Sequence, residues 1–442
     1  MKYKSYTLNN FRNLPQMANL SEEQKRNIEI VGTLLPFKTN NYVVEQLIDW
    51  SHISDDPMFV ANFPQKDMVS SEDYRKIESL YESGADSQTI KQAADEIRLR
   101  LNPHPAGQLS YNVPVFDSER LFGIQHKYRE TALFFPAQGQ ICHAFCTFCF
   151  RWPQFAEMED LKISSRETDL LARYVRAHPA ITDVLFTGGD PLIMKSELLA
   201  RYIEPLLVLD IKHLRTIRIG TRALTYWPYR FITDSDADTL LKLFRRIRQS
   251  GKHLAFMAQF NHPVELETDI VKEAISRVQE TGAVIRTQSP LLRHINDSSE
   301  IWAELWRKQV SLNCIPYYMF IARDTGPQEY FRLPLFEAWE IFKKTYQSVS
   351  GICRTVRGPV MSCLPGKVHV LGVEEVWGEK VFVLQMIQGK NPDWVNRPFF
   401  AAYDENAYWF DDLKPAFGEE KFFFQEELER MLELGKVANI GV

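Results

Sequence analysis

The chain has 442 residues, 45% of them hydrophobic and 25% charged, and a net charge of −5. This is ordinary globular composition, long for one domain and without the basic run that sequence-general nucleic-acid binding needs. No window approaches the roughly 18 apolar residues of a membrane-spanning helix, and the first residues carry neither an apolar run nor a cleavage site, so neither a span nor a signal peptide is expected.

Residues 1–110 read as polar and mostly helical. Windows 20–35 and 70–101 carry apolar positions at helix period among charges. Ser70-Ser71-Glu72-Asp73 has the small polar residues and acids of a helix start, and the Pro- and Gly-containing stretch 102–107 ends the region. From about residue 130 the rhythm changes. Short apolar runs at 132–135, 183–187, 216–220, 253–257, 284–287 and 317–321 alternate with amphipathic segments such as 238–249 and 268–280. Strands alternating with helices of this length predict βα units round a parallel sheet. Six of them make an α/β fold, a partial (βα)6 barrel over 111–367, with its site at the C-terminal ends of the strands. Residues 368–442 read as a β-rich appendage ending in a helix at 424–436. Trp394, Phe399, Phe400, Tyr403, Tyr408, Trp409 and Phe410 read as its packing. There is no repeat and no low-complexity tract.

Three of the six cysteines, Cys142, Cys146 and Cys149, form a C-x3-C-x2-C run followed by Phe150, while Cys314, Cys353 and Cys363 are scattered. This argues against a disulfide framework. Three thiolates so close together can hold three corners of an iron–sulfur cube and leave the fourth iron open to a small ligand. Zinc asks for four ligands, commonly from two close pairs, and no second pair occurs. Three buried thiols are the plainer alternative. A non-enzymatic electron carrier would normally ligate every iron with protein thiolates. A low-potential cluster needs a reducing compartment, so a cytoplasmic location is expected. Downstream, Thr187-Gly188-Gly189-Asp190-Pro191-Leu192 follows an apolar strand. Its glycines let the backbone approach a ligand closely and its Asp can accept from an ammonium; a plain turn is the alternative.

The cysteine run with its aromatic flanks resembles the signature of the radical S-adenosylmethionine (SAM) superfamily. Further stretches resemble, in order, the lysine 2,3-aminomutase family: Gly188-Gly189-Asp190, Arg218-Ile219-Gly220-Thr221-Arg222, Phe260-Asn261-His262-Pro263, Gln288-Ser289-Pro290-Leu291-Leu292-Arg293 with Asn296-Asp297, Pro316-Tyr317-Tyr318 and 350–367, with Asp56-Pro57 upstream. The resemblance covers roughly residues 110–370. It implies a radical SAM barrel with a [4Fe-4S] cluster on Cys142, Cys146 and Cys149. One electron, from a donor such as flavodoxin or ferredoxin, cleaves SAM to a 5′-deoxyadenosyl radical that abstracts hydrogen from an amino acid or related small molecule. It assigns Gly188, Gly189, Asp190, Arg222, His262 and Gln288 to SAM. It assigns Arg151, two places after the last cluster cysteine, to the substrate carboxylate, a role that suits a guanidinium fork. It also implies pyridoxal phosphate (PLP) carried by Lys367, and a tendency to self-associate as a homo-oligomer.

The chain departs from the family pattern in one half of this set. Where the family has four glycines before its lysine, this chain has Cys363-Leu364-Pro365-Gly366. Where the family holds the PLP phosphate with two arginines, Lys127 and Thr131 stand. Where it pairs a distal ammonium with two aspartates, the positions read Arg323, with Asp324 beside it, and Val360. An arginine facing an ammonium repels it by about 1 kcal/mol or more in a partly buried site. A substrate with a distal carboxylate or another anion suits Arg323 better, while Asp324 is able to restore a cation site. Two readings stay open: an aminomutase with PLP on Lys367 and Lys127, performing 1,2-amino migration, and a PLP-independent epimerase, dehydrogenase or other rearrangement on a carboxylate-bearing small molecule.

Overall fold

The alternating apolar runs assemble into one sheet. The computed structural model describes residues 1–53, 55–102, 111–156, 158, 162–208 and 211–440, and its main sheet has eleven strands whose spatial order is their chain order. Numbered along the chain they are β1 (Ile124–Tyr128), β2 (Thr131–Phe134), β3 (Asp183–Phe186), β4 (Thr216–Thr221), β5 (His253–Gln259), β6 (Val284–Leu291), β7 (Ile315–Ile321), β8 (Arg357–Ser362), β9 (Gly366–Val376), β10 (Glu379–Gly389) and β11 (Pro398–Ala402). Neighbours from β2 to β8 pair in parallel. Each crossover between them carries a helix: Leu170–Ala177, Ser196–Val208, Ala237–Gln249, Asp269–Gln279, Ser299–Ser311 and Leu335–Ser348. These are the six expected βα units of a partial barrel. The ladder is open, with β1 and β11 at its ends.

In β4, Ile217 and Ile219 are buried while Thr216, Arg218 and Gly220 are half-buried. The first set meets the helices and the second faces the barrel interior, as a period of two dictates. Two strands escape the apolar pattern. β1 reads Ile-Gln-His-Lys-Tyr, and β8 contains Gly358-Pro359, which looks like a turn. β9 passes through residue 367 and pairs antiparallel with β8, Ser362 opposite Lys367, so the C-terminal hairpins continue the same sheet.

The expected helix over 70–101 is two helices, Ser71–Glu82 and Ser87–Arg100. Gly84 stands at φ +69° after the first. Asp86 caps the second by accepting from the Gln88 and Thr89 N–H groups, both at 2.9 Å, a stop and a start that block one continuous helix. The break expected at 102–107 falls mostly outside the described residues. One hydrophobic core takes in Phe11, Tyr42 and Phe63 from the N-terminal region, Phe134 and Phe186 from the sheet and Phe399 and Phe424 from the C-terminal part. No described helix is long and apolar enough to cross a membrane.

Candidate active site

The cysteine loop follows β2, and the N-terminal region grips it. The Phe145 N–H donates to Lys38 O (2.7 Å) and the Thr147 N–H to Ala61 O (3.0 Å). The Thr147 hydroxyl donates to Val60 O at 2.8 Å. Tyr3 Oη and Asn40 Nδ2 both donate to His143 O, at 2.7 and 3.2 Å. A loop without helix or strand of its own is thus tied down by residues far upstream in the chain. Burial pushes the three thiols up, Cys149 to about 12, so thiolates here need the positive charge of bound metal. Among the described residues no three His, Cys, Asp or Glu side chains converge on one point as ligands of a single ion do. A cube with three separate irons asks instead for thiols round its corners. Cys142, Cys146 and Cys149 line one cavity, and this donor set fits such a cube with one iron left for SAM.

Gly188 and Gly189 serve the same loop. Gly188 has φ +137°, and a Cβ on it would fall 2.1 Å from Gln140 Nε2; a Cβ on Gly189 would fall 2.5 Å from Ile141 N. The turn therefore lies directly on the start of the cysteine loop, and the Asp190 N–H donates to Gly139 O and Ile141 O. The Asp190 carboxylate is 1% exposed and accepts from the Leu192 and Arg222 N–H groups and the Thr221 hydroxyl at 2.8–2.9 Å, with burial raising its pKa to about 6. It ties the end of β3 to the end of β4.

Arg222 continues this network. Its guanidinium donates to Asn261 Oδ1 (2.9 Å) and Glu265 Oε1 (2.5 Å) and lies 3.9 Å from the centre of the Tyr226 ring. Glu265 is fully buried and also accepts from the Asn261 and His262 N–H groups. Glu265 has no local signal in the sequence, being a lone acid two places after Pro263. Gln288, on β6, lines the cavity. His262 does not: its Nδ1 accepts from the Val264 N–H at 3.4 Å, and burial lowers its pKa to about 4.

Arg151, two residues past Cys149, lies 4.7 Å from the Phe135 ring centre and 4.9 Å from that of Phe150. No acidic side chain among the described residues pairs with it, and burial lowers its pKa to about 10. Arg323, just past β7, approaches Phe150 at 5.3 Å and Trp409 at 5.6 Å. Trp409 thus reaches the site as well as packing its own layer. Arg323 Nε donates to Asp324 Oδ1 at 3.3 Å, which turns Asp324 toward Arg323, and Asp324 does not line the cavity.

Lys367 closes the set. Its Nζ donates to Gln388 Oε1 at 2.7 Å, near the rings of Tyr318 (4.8 Å) and Tyr128 (5.5 Å). Burial, then the neighbouring Arg218, Lys127 and Arg357, lower its pKa to about 7. Lys127 lies behind the cavity wall with its Nζ on Cys363 O and its pKa at about 7, again through burial first. Lys390, which no motif in the sequence marks, stands near Lys127 with Nζ on Asn112 Oδ1 (3.1 Å). Gly366 is required by the hairpin, because a Cβ there would fall 2.1 Å from Gln388 O. For PLP, the Lys367 amine fits. Lys127 is engaged by a carbonyl and Thr131 carries no charge, but Arg218 and Arg357 stand beside Lys367. The acid in this group, Asp183, is already paired with Arg218 at 2.8 Å, and the surplus positive charge fits a phosphate.

A single cavity of about 250 Å³ collects Cys142, Cys146, Cys149, Gly188, Gly189, Asp190, Arg222, Gln288, Arg151, Arg323 and Lys367. His262, Asp324 and Lys127 stand outside its lining.

No family model matches the chain. A protein of Aquifex aeolicus (strain VF5) named "Putative L-lysine 2,3-aminomutase" is 30% identical over 408 residues, 92% of this chain and 95% of its own length. The L-lysine 2,3-aminomutase of Haemophilus influenzae is 31% identical over 228 residues, 52% of this chain and 63% of its own. That of Escherichia coli (strain K12) is 29% identical over 231 residues, with the same two shares. Among solved structures, the crystal structure of Streptococcus suis SuiB overlaps 62% of this chain and 56% of its own at 12% identity and a TM-score of 0.33, a likeness too slight to argue from. The near full-length match, with the cysteine loop and its surroundings, shows where the chain stands: it belongs to the lysine 2,3-aminomutase family, as a divergent member of the radical SAM superfamily.

Proposed function

We propose that this radical SAM enzyme shifts an amino group between neighbouring carbons of a small amino acid whose side chain ends in a carboxylate or another anion. The observation that carries the reading is that Arg151 and Arg323 flank one ring, Phe150, in the cavity that also holds the cysteines and Lys367. Two guanidinium groups this close repel each other unless anions lie between them. Arg151 binds the α-carboxylate and Arg323 the distal group; the ε-ammonium of lysine would meet Arg323 as a like charge. Cys142, Cys146 and Cys149 hold the cluster, and Gly188, Gly189, Asp190, Arg222 and Gln288 frame the place of SAM. When bound and reduced by a flavodoxin- or ferredoxin-type donor, cluster and SAM supply a carbon radical able to take a hydrogen atom. PLP, when bound, supplies a π-system through which the nitrogen can migrate. Lys367 offers the amine for it, about half neutral near pH 7 and so nucleophilic. Arg151 and Arg323 fix the substrate at both ends, which confines the radical to one carbon. A reducing compartment, the cytoplasm, suits the cluster.

A second reading, PLP-free epimerisation, dehydrogenation or another rearrangement, is favoured by one observation: the Lys127 amine is taken by the Cys363 carbonyl. A single experiment separates the two. The cluster is reconstituted anaerobically, excess PLP is added, the sample is reduced with borohydride and the Lys367 peptide is mapped by mass spectrometry. A pyridoxyl group on Lys367 is the expected result. Its absence in protein that still cleaves SAM would remove the aminomutase reading.

A further inference from the structure

We infer that Lys38, carried by the N-terminal region, is the counter-charge of the iron–sulfur cluster and holds the cluster's reduction potential up. The inference rests on the three-cysteine cluster proposed above. Lys38 opens a short strand, Lys38–Asn40, that pairs antiparallel with Ser5–Thr7. Its side chain turns inward and is 9% exposed. Nζ donates to Cys142 O at 2.8 Å and lies 5.8 Å from the Phe145 ring centre and 5.9 Å from that of Tyr3. The Lys38 carbonyl accepts from the Phe145 N–H at 2.7 Å, so main chain and side chain of one residue both hold the stretch between the first two cysteines.

No carboxylate among the described residues pairs with this ammonium. A buried cation without an anion is costly, and proteins place one where a ligand or metal site supplies the charge. The side chains around Lys38 are the phenol of Tyr3, the ring of Phe145, the imidazole of His143 and the amide of Asn40, which bonds the carbonyls of His143 and Tyr226, and none of them is a carboxylate. Nζ rests on the carbonyl of Cys142 itself, so the sulfur of that residue, which binds iron as a thiolate, is the group that brings negative charge to Lys38. Three thiolates make the loaded site anionic, and reduction of the cube adds one more electron. A fixed ammonium beside it favours the reduced state more than the oxidised one, which raises the potential; net charge and hydrogen bonding are among the quantities that set it. Lys38 is therefore a positioning and tuning residue, outside the lining of the cavity.

The test is an EPR-monitored redox titration of anaerobically reconstituted protein, with iron and sulfide counted and the fold checked by circular dichroism. Lys38→Met keeps the stem and removes the charge; Lys38→Arg keeps the charge; Lys38→Gln keeps a donor for the Cys142 carbonyl without charge. The expected result is a shift to more negative potential in the Met and Gln variants at wild-type iron content, with the Arg variant near wild type. A potential unchanged in either loaded neutral variant overturns the inference. If neither neutral variant loads, loading by the Arg variant supports the counter-charge, and failure of the folded Arg variant to load overturns it in favour of a purely structural side chain. Wild-type protein that takes up no cluster would instead sink the three-cysteine reading.

Discussion

The two ends of the cavity manage charge in opposite ways. At the cysteine end the two charged side chains that line the cavity are paired within the protein, Arg222 by Glu265 and Asn261 and Asp190 by Thr221 and two backbone N–H groups, and the cation behind the loop, Lys38, is left for the cluster. Beside the cysteines Arg151 has no acidic partner among the described residues, and at the other end Lys367, Lys127 and Lys390 rest on neutral oxygens. A buried polar group that is already paired fixes geometry, while one that is not awaits a ligand. The first end is a frame, rigid before cofactor arrives; the second is a receptor whose charge an anion completes. This is also the end where the sequence departs from the pattern that the resemblance implies.

Breaking the frame should have the largest effects. Cys146→Ala is expected to bring iron content and SAM cleavage down to background, as read by metal analysis and chromatography of cleavage products. Glu265→Leu leaves the Arg222 guanidinium buried without its carboxylate and should destabilise the fold by about 3–5 kcal/mol, measured by denaturant unfolding. Glu265→Gln, which keeps hydrogen-bond acceptors, should lose less. Equal stability of the Leu variant and wild type would show that the pair does not brace the site.

The cysteine loop was legible because its chemistry is local: three thiols and a following Phe lie within nine consecutive positions. So were the six βα units, since their apolar runs are short and bounded. What escaped was built by pairing across distance. Glu265 matters only because the turn after β5 stands beside the end of β4. Lys390 comes near Lys127 through hairpin register, and Trp409 reaches Arg323 from a separate layer. The N-terminal region reads as generic amphipathic helices, and nothing in its periodicity announces that Lys38 and Asn40 hold the cysteine loop. The break between Gly84 and Asp86, by contrast, had its stop and cap residues in plain view, and the helix period across 70–101 masked them.

The receptor end gives a sharper contrast, with a smaller effect. Arg323→Ala should lower kcat/KM for an amino acid with a distal carboxylate by roughly ten- to a hundredfold, the worth of one charged hydrogen bond of about 1.5–3 kcal/mol. Arg323→Asp should move preference toward substrates with a distal ammonium, because it leaves two aspartates where Arg323 and Asp324 now stand side by side. Indifference of both variants to the charge of the substrate's far end would place the specificity elsewhere in the cavity.

The smallest predicted effect lies in the pH dependence of Lys367. An ordinary lysine near pH 7 is almost wholly protonated, and its reactivity toward an acylating reagent climbs about tenfold per pH unit. Lys367 titrates near 7, because burial and its cationic neighbours disfavour the charged form. Its neutral fraction is therefore already about one half at pH 7, and raising the pH can add no more than about a further twofold before the rate levels off. Lowering the pH below 7 protonates it, and the rate should then fall about tenfold per unit. Competitive labelling followed by mass spectrometry reads this curve against the exposed lysines of the same molecule. An anion seated among Arg218, Arg357 and Lys367 would stabilise the ammonium and move the levelling-off point upward. A shift on adding inorganic phosphate would show the receptor end filling, and a curve that climbs like that of a surface lysine in the free protein would mean that Lys367 is not held in the desolvated, cation-rich place from which its role is argued.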